Sequence, residues 1–179
     1  GIGIEVQDVQ IHGNTGAYIS AHEYTDQLQS ESDLNRIRIP EITYDRSATE
    51  TLLEAAREVF DGLLEVRLQG HAFGFNIWDM IAMYRGVDSL LMDLAMRPEF
   101  MHQTATRFME VAQASFRQYE EQGLLDPDQL LLHCTPACTR DLPAKDFAGK
   151  VRRQDVWGRC SPQIFSAVSP DMHDEFDLA

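Results

Sequence analysis

The strongest pattern in the chain is a helical one. Met101, Ala105, Phe108, Ala112, Phe116 and Tyr119 recur at spacings of three and four, one face of a long helix that opens at Pro98-Glu99 and closes at Gly123. The same period over Leu52, Leu53, Ala56, Val59 and Phe60 predicts a second helix stopped by Gly62. Its start is marked by Ser47-Ala48-Thr49-Glu50, the spacing of a capping box, with Asp45 as a rival cap. Asn76 opens a helix through Ile77, Trp78, Ile81 and Ala82 that breaks at Gly86, and Val87, Leu90, Leu91 and Leu94 form another ended before Pro98. Between the helices the period changes to two. Leu64, Val66 and Leu68 alternate with Glu65, Arg67 and Gln69, which predicts a strand with one apolar face.

Weaker signals fill the rest. Val6 to Ile11 and Gln163 to Val168 read as strands, and Arg36 to Ile42 as a short edge strand or extended connection that meets Pro40. His12 to Gly16 reads as a turn-prone loop. Ser169-Pro170-Asp171 starts a short helix through His173 and Phe176, and the nearby acids Asp174, Glu175 and Asp177 read as a solvated helix start. Asp126 to Gln154 carries Pro127, Pro136, Pro143 and Gly149 without sustained period, a long excursion with at most a brief strand at Leu130 to His133. The organisation is thus a loop-rich start (1–35), βα units (36–125), the excursion (126–154), and a strand with a helix start (155–179). Strands alternating with helices of this length predict an α/β fold with parallel strands.

Composition narrows the functional classes. The chain has 179 residues, and 15 Lys+Arg against 29 Asp+Glu give a formal charge of −14. That balance argues against nucleic acid as a partner, which needs a basic face to neutralise phosphates. With 44% hydrophobic and 25% charged residues the composition is that of a folded domain. The most apolar stretches are interrupted by Asp79 and Asp93, so no membrane helix is expected, and a cytoplasmic location is the default. Cys134, Cys138 and Cys160 are too few for a disulfide framework.

Candidate chemistry is sparse. His71 follows the predicted strand through Gln69 and Gly70, where a barrel would place its active site. It reads either as an acid, base or substrate contact or as a packed histidine beside Phe73 and Phe75. Trp78 and Arg85 share a helical region. Trp78 is a wall residue of either a core or a substrate box, and Arg85 is a bidentate carboxylate binder unless Asp79 or Asp88 occupies it. Ser166 flanks a predicted strand end but has no histidine and acid at motif spacing, so a serine nucleophile is unsupported. His133, Cys134 and Cys138 lack the partner pair of a zinc site and read as plain loop. Gly1-Ile2-Gly3 lacks the third glycine and preceding strand of a dinucleotide cradle.

Several longer strings are more specific. They are Ile39 to Asp45, Val66 to His71, Trp78-Asp79 with Tyr84 to Val87, Arg97 to Phe100, Trp157-Gly158, Gln163 to Phe165, and Val168 to Phe176. In this order, from about Ile37 to Phe176, the chain resembles a branch of the uroporphyrinogen decarboxylase superfamily, which includes zinc-dependent methyltransferases acting on corrinoid cofactors. The resemblance implies a TIM-type (β/α) barrel and, of the two chemistries, methyl transfer ahead of porphyrinogen decarboxylation. It also implies zinc and a corrinoid partner for the complete protein. The family's arginine-rich porphyrinogen-binding segment and its His-x-Cys zinc string have no counterpart here, so neither catalytic nor metal residues carry over; His71, Phe73, Trp78, Arg85 and Ser166 remain as substrate-binding candidates. A complete barrel needs about 250 residues, and four or five strand candidates fall short of eight. The chain is therefore expected to be an internal portion of the barrel, inactive alone, whose open sheet edges would drive association. A non-catalytic accessory or self-associating role is the alternative.

Overall fold

The structure is a computed structural model and describes residues 1–12, 20–128, 131–132, 135–137 and 139–178. Its elements are β1 (Asp8–His12), β2 (Ser20–Tyr24), α1 (Glu31–Leu34), α2 (Arg46–Val59), β3 (Phe73–Phe75), α3 (Ile77–Arg85), α4 (Val87–Met96), α5 (Pro98–Glu121), β4 (Leu131–Leu132), β5 (Thr135–Pro136), β6 (Gly158–Cys160) and α6 (Pro170–His173). Turns of 3₁₀ helix lie at Arg153–Asp155 and Gln163–Ala167, and a π-helical turn at Asp174–Leu178. The fold is mixed α/β. The strands form two-stranded sheets, β1-β2, β3-β6 and β4-β5, and the described residues contain no closed barrel.

The chain divides into two compact units, Gly1–Pro40 with Phe75–Ala114 and Cys160–Ala179, and Glu41–Gly74 with Ser115–Arg159. In the first, α3, α4 and α5 bury the faces their periodicity predicts. Ile81, Leu90 and Met101 are fully enclosed, with Trp78, Phe100 and Phe108 nearly so, and Ile4, Leu28 and Ile37 complete the core. Each such side chain contributes about 1.5–3 kcal/mol relative to exposure. Thr104 is buried inside α5 without penalty because its hydroxyl donates to the Phe100 carbonyl at 2.8 Å.

Among the described residues, the second unit has fewer buried side chains. Phe73 stacks on Phe116 with centroids 4.1 Å apart, and Leu125 is enclosed. Fully buried Asp155 accepts from the Arg152 Nε at 2.8 Å, the Arg152 amide at 2.9 Å and the Ala144 amide at 3.1 Å. The Arg152 guanidinium, reinforced by these amides, holds its carboxyl down to about 2 against the opposing cost of desolvation.

Several expectations are corrected. The sheets are not an open parallel array. The ladders β1·β2 and β4·β5 are antiparallel, and parallel pairing is seen at the isolated bridge between His71 and Leu125. Residues 64–69 form no strand, and Leu64 and Leu68 stand exposed, with no strand among the described residues paired to them. Residues 163–167 are a 3₁₀ turn rather than a strand, since the Asp79 carboxylate of α3 accepts from the amides of Gln163 at 3.2 Å and Ile164 at 3.0 Å. A tertiary acceptor thus caps a turn where local alternation predicts extension. Asp45, not Ser47, caps α2, accepting from the Ala48 amide at 2.9 Å.

Residues 37–45 take the extended-connection alternative. The strand expected at Val6–Ile11 is displaced to Asp8–His12, in register with the unanticipated β2 from Asp8 opposite Tyr24 to His12 opposite Ser20. The brief strand expected in the excursion is β4, two residues long, facing Thr135–Pro136. Helix α1 falls in the stretch expected to be loop-rich, whereas α3, α4 and α5 follow the sequence, and Ser169 caps α6 by accepting from the Met172 amide at 3.2 Å.

Candidate ligand pocket

In the first unit, α5 presents a second face beside its core row. His102, Ala105, Thr106, Met109, Glu110 and Gln113 follow the helical period beside the buried row Met101, Thr104, Phe108 and Val111, and line a cavity of about 460 Å³. The opposite wall comes from the entry to α3, with Phe75, Ile77 and Trp78, and from the C-terminal turn, with Glu175, Phe176 and Asp177. Cys160 completes the lining.

The walls are fixed by aromatic packing. Trp78, only 3% exposed, donates from its indole Nε1 to the Phe176 carbonyl at 3.1 Å, which fastens the C-terminal turn to α3. Phe176 meets Trp78 edge-on with centroids 6.0 Å apart and also stacks on the His102 ring at 4.6 Å. The His102 Nε2 lies 3.1 Å from the Glu175 Oε1, placing a hydrogen-bonded imidazole–carboxylate pair on the lining. His173 stands 3.7 Å from the Asp177 carboxylate. Burial, and secondly the charge of Asp177, pushes the Cys160 thiol up, so this cysteine is kept as a thiol rather than a nucleophilic thiolate.

The ionisable lining is one-sided. Glu110, Glu175 and Asp177 face the cavity with His102, and among the described residues neither lysine nor arginine lines it. A volume in the few-hundred Å³ range with apolar walls and a few converging polar groups is the form of a small-molecule site.

The second unit holds a broader cleft of about 770 Å³ around His71. The His71 ring lies flat on Tyr119 at 4.1 Å and meets Phe73 edge-on at 5.8 Å, while its amide donates to the Leu124 carbonyl at 2.7 Å. Desolvation of the stacked face pushes its imidazole below the usual histidine range, although the residue retains an exposed side. Gly70 has a packing reason to be glycine. A Cβ there would come within 2.7 Å of the Asp126 Cβ and 2.8 Å of its amide nitrogen, and the Gly70 amide donates to that carboxylate at 3.3 Å.

The chain matches no family model, no curated protein and no solved structure. Its chemistry is carried by its own residues.

The five residues expected to bind substrate do not converge. His71 and Phe73 touch one another in the second unit, whereas Trp78, Arg85 and Ser166 belong to the first. Only Trp78 lines the aromatic pocket. Arg85 is engaged by Asp93, which accepts from its Nη2 at 2.8 Å and its Nε at 3.1 Å, and by Asp26 through Nη1; neither Asp79 nor Asp88 is its partner. Ser166 is exposed on the 3₁₀ turn. His133, Cys134 and Cys138 lie outside the described residues, among which no group of three or more His, Cys, Asp or Glu is set to hold a metal ion.

Sequence reasoning missed His102, Glu175 and Asp177. The spacing of His102, Thr106, Met109 and Gln113 was legible as a second stripe on the long helix, but the pairing of His102 with an acid 73 positions away was not. No described helix is long and apolar enough to cross a membrane.

Proposed function

We propose that the chain is part of a uroporphyrinogen decarboxylase-like protein of the methyl-transfer branch, a (β/α) barrel in its complete form, and that its aromatic pocket binds an organic cation with an apolar body. The ordered strings from Ile37 to Phe176 support the family reading. The observation that carries the ligand class is the lining itself, in which Phe75, Trp78 and Phe176 stand with Glu110, Glu175 and Asp177 and, among the described residues, with neither lysine nor arginine. Aromatic faces attract a desolvated ammonium through their quadrupole, and a carboxylate nearby adds direct charge attraction. A methylated ammonium group meets both demands and is chemically a methyl source.

The described residues do not fit zinc, so no step is assigned to a metal. A corrinoid partner would belong to the complete protein, and the role read for this chain is to bind and orient. His102 holds the Glu175 carboxylate, and Phe176 is held by Trp78 and His102.

Calorimetric titration of the chain with choline and with its neutral isostere 3,3-dimethylbutan-1-ol tests this reading. Choline should bind about tenfold more tightly than the isostere, a difference of about 1.4 kcal/mol, within the range for a desolvated cation on aromatic faces. Glu175→Gln should weaken choline by about threefold and leave the isostere unchanged. Equal affinities for the two compounds would exclude the cation reading.

A further inference from the structure

The three acids that line the aromatic pocket are not equivalent. Glu110 accepts from the Arg107 Nη1 at 2.7 Å, and Glu175 is paired with the His102 Nε2 at 3.1 Å. Asp177 is the most enclosed, its side chain 11% exposed against 55% for Glu110 and 54% for Glu175. Yet its carboxylate accepts no hydrogen bond among the described residues. The His173 Nε2 stands 3.7 Å away, beyond hydrogen-bond reach, and the Cys160 thiol, which feels the Asp177 charge, is a weak donor that forms no such bond to it.

A carboxylate this enclosed is stable only while its oxygens are solvated or bonded. A ligand that fills the cavity cuts Asp177 off from water, so it must bring a donor of its own or leave the charge unsatisfied. That donor is separate from the cationic centre. Glu175 and Asp177 are two residues apart on the terminal helical turn, and positions so spaced point to different sides. One small ammonium group therefore does not sit against both. A trimethylated ammonium also has no N–H to give, and aromatic faces with Glu175 already meet its charge.

We propose that Asp177 is the specificity-determining acceptor of this pocket, and that the ligand is a methylated ammonium compound carrying a hydroxyl that donates to it. The inference rests on the cation reading of the pocket and adds a second point of attachment. A hydroxyl bonded to a carboxylate is charge-assisted, about twice as strong as a neutral pair, so it discriminates sharply against a ligand that lacks it.

Calorimetric titration of the chain with choline and with trimethylpropylammonium tests this, because the second compound differs only by a methyl group in place of the hydroxyl. Choline should bind about tenfold more tightly, although the propyl compound is the more apolar. Asp177→Ala should abolish that preference, and Asp177→Asn should retain about threefold of it through the amide oxygen. A role in charge alone would weaken both cations alike and leave their ratio at the wild-type value, which overturns the proposal. Far-UV circular dichroism checks that the variants keep their helices, and the wild-type ratio needs no variant. Equal wild-type affinities for the two cations, both above that for 3,3-dimethylbutan-1-ol, overturn the hydroxyl acceptor and leave the cation reading standing. Choline above trimethylpropylammonium but level with 3,3-dimethylbutan-1-ol supports the acceptor and overturns the cation. Binding of neither cation at about 10 mM, a rough ceiling for a weak small-molecule site, overturns both.

Discussion

Arg85 shows how one residue's chemistry is decided by its surroundings. In sequence it is an arginine near aromatics, suited to a substrate carboxylate. In the structure its guanidinium is 9% exposed and divided between Asp93 and Asp26, and it has become a structural cross-link. Removing one partner of a buried pair is costly because the other charge is left desolvated. Arg85→Ala should therefore lower stability by about 3 kcal/mol, with the loss softened by Arg97, whose Nη1 stands 3.5 Å from Asp93. Urea denaturation of the variant reads the change directly, and an effect below about 0.5 kcal/mol, the size expected of an exposed ion pair, would contradict it. Trp78 runs the other way. An aromatic at helical spacing is usually core, and Trp78 is core, but it also lines a pocket.

At the scale of elements, the longer helices were legible and most of the strands were not. α3, α4 and α5 begin and end where Asn76, Gly86 and Pro98 predict, because their signals are local: periodicity, caps and breakers. The cap of α2 separates two local signals that compete. Asp45 supplies the acceptor to Ala48, while Ser47 sits inside the first turn with its carbonyl accepting from the Thr51 hydroxyl. Asp45→Ala should lower stability by about 1 kcal/mol and Ser47→Ala by less than about 0.3 kcal/mol. Thermal unfolding of both variants distinguishes them, and equal losses would restore the capping-box reading. Strand signals failed where pairing was wanting. Leu64, Val66 and Leu68 alternate correctly, but alternation becomes a strand only against a neighbour, and residues 64–69 pair with none among the described residues.

For the molecule as a whole, the charge of −14 acts against compactness at neutral pH, while specific pairs act for it. Asp155, Asp33, Asp146 and Glu65 all have carboxyls held below the ordinary range, each principally by a hydrogen bond from Arg152, Ser30, Arg152 and Arg67 respectively. Glu65 is solvent-facing, so its share is small. A carboxyl whose folded pKa lies below its unfolded value stabilises above the unfolded value and loses that contribution as pH falls. For Asp155 the window runs from about 4, the ordinary carboxylate value, down to about 2. His71 adds to the same slope at higher pH. Its depressed folded pKa favours the neutral ring, so protonation near and below about 6.5 favours the unfolded chain. Stability should thus decline on acidification, and Asp155→Asn should flatten the limb between pH 4 and 2. Urea midpoints measured across that range check it; an unchanged acid limb would show that Asp155 is not its source.

The sequence by itself determined helices α3, α4 and α5 and the faces they bury. These rest on short-range periodicity and capping, which need no knowledge of distant residues. Tertiary structure alone decided that Asp79 turns residues 163–167 into a 3₁₀ turn, that Arg85 is consumed by Asp26 and Asp93, and that His102 meets Glu175 beside Trp78. Those outcomes depend on groups from 8 to 85 positions apart being brought within hydrogen-bonding distance. Chain closure creates such neighbours, and no local pattern encodes them.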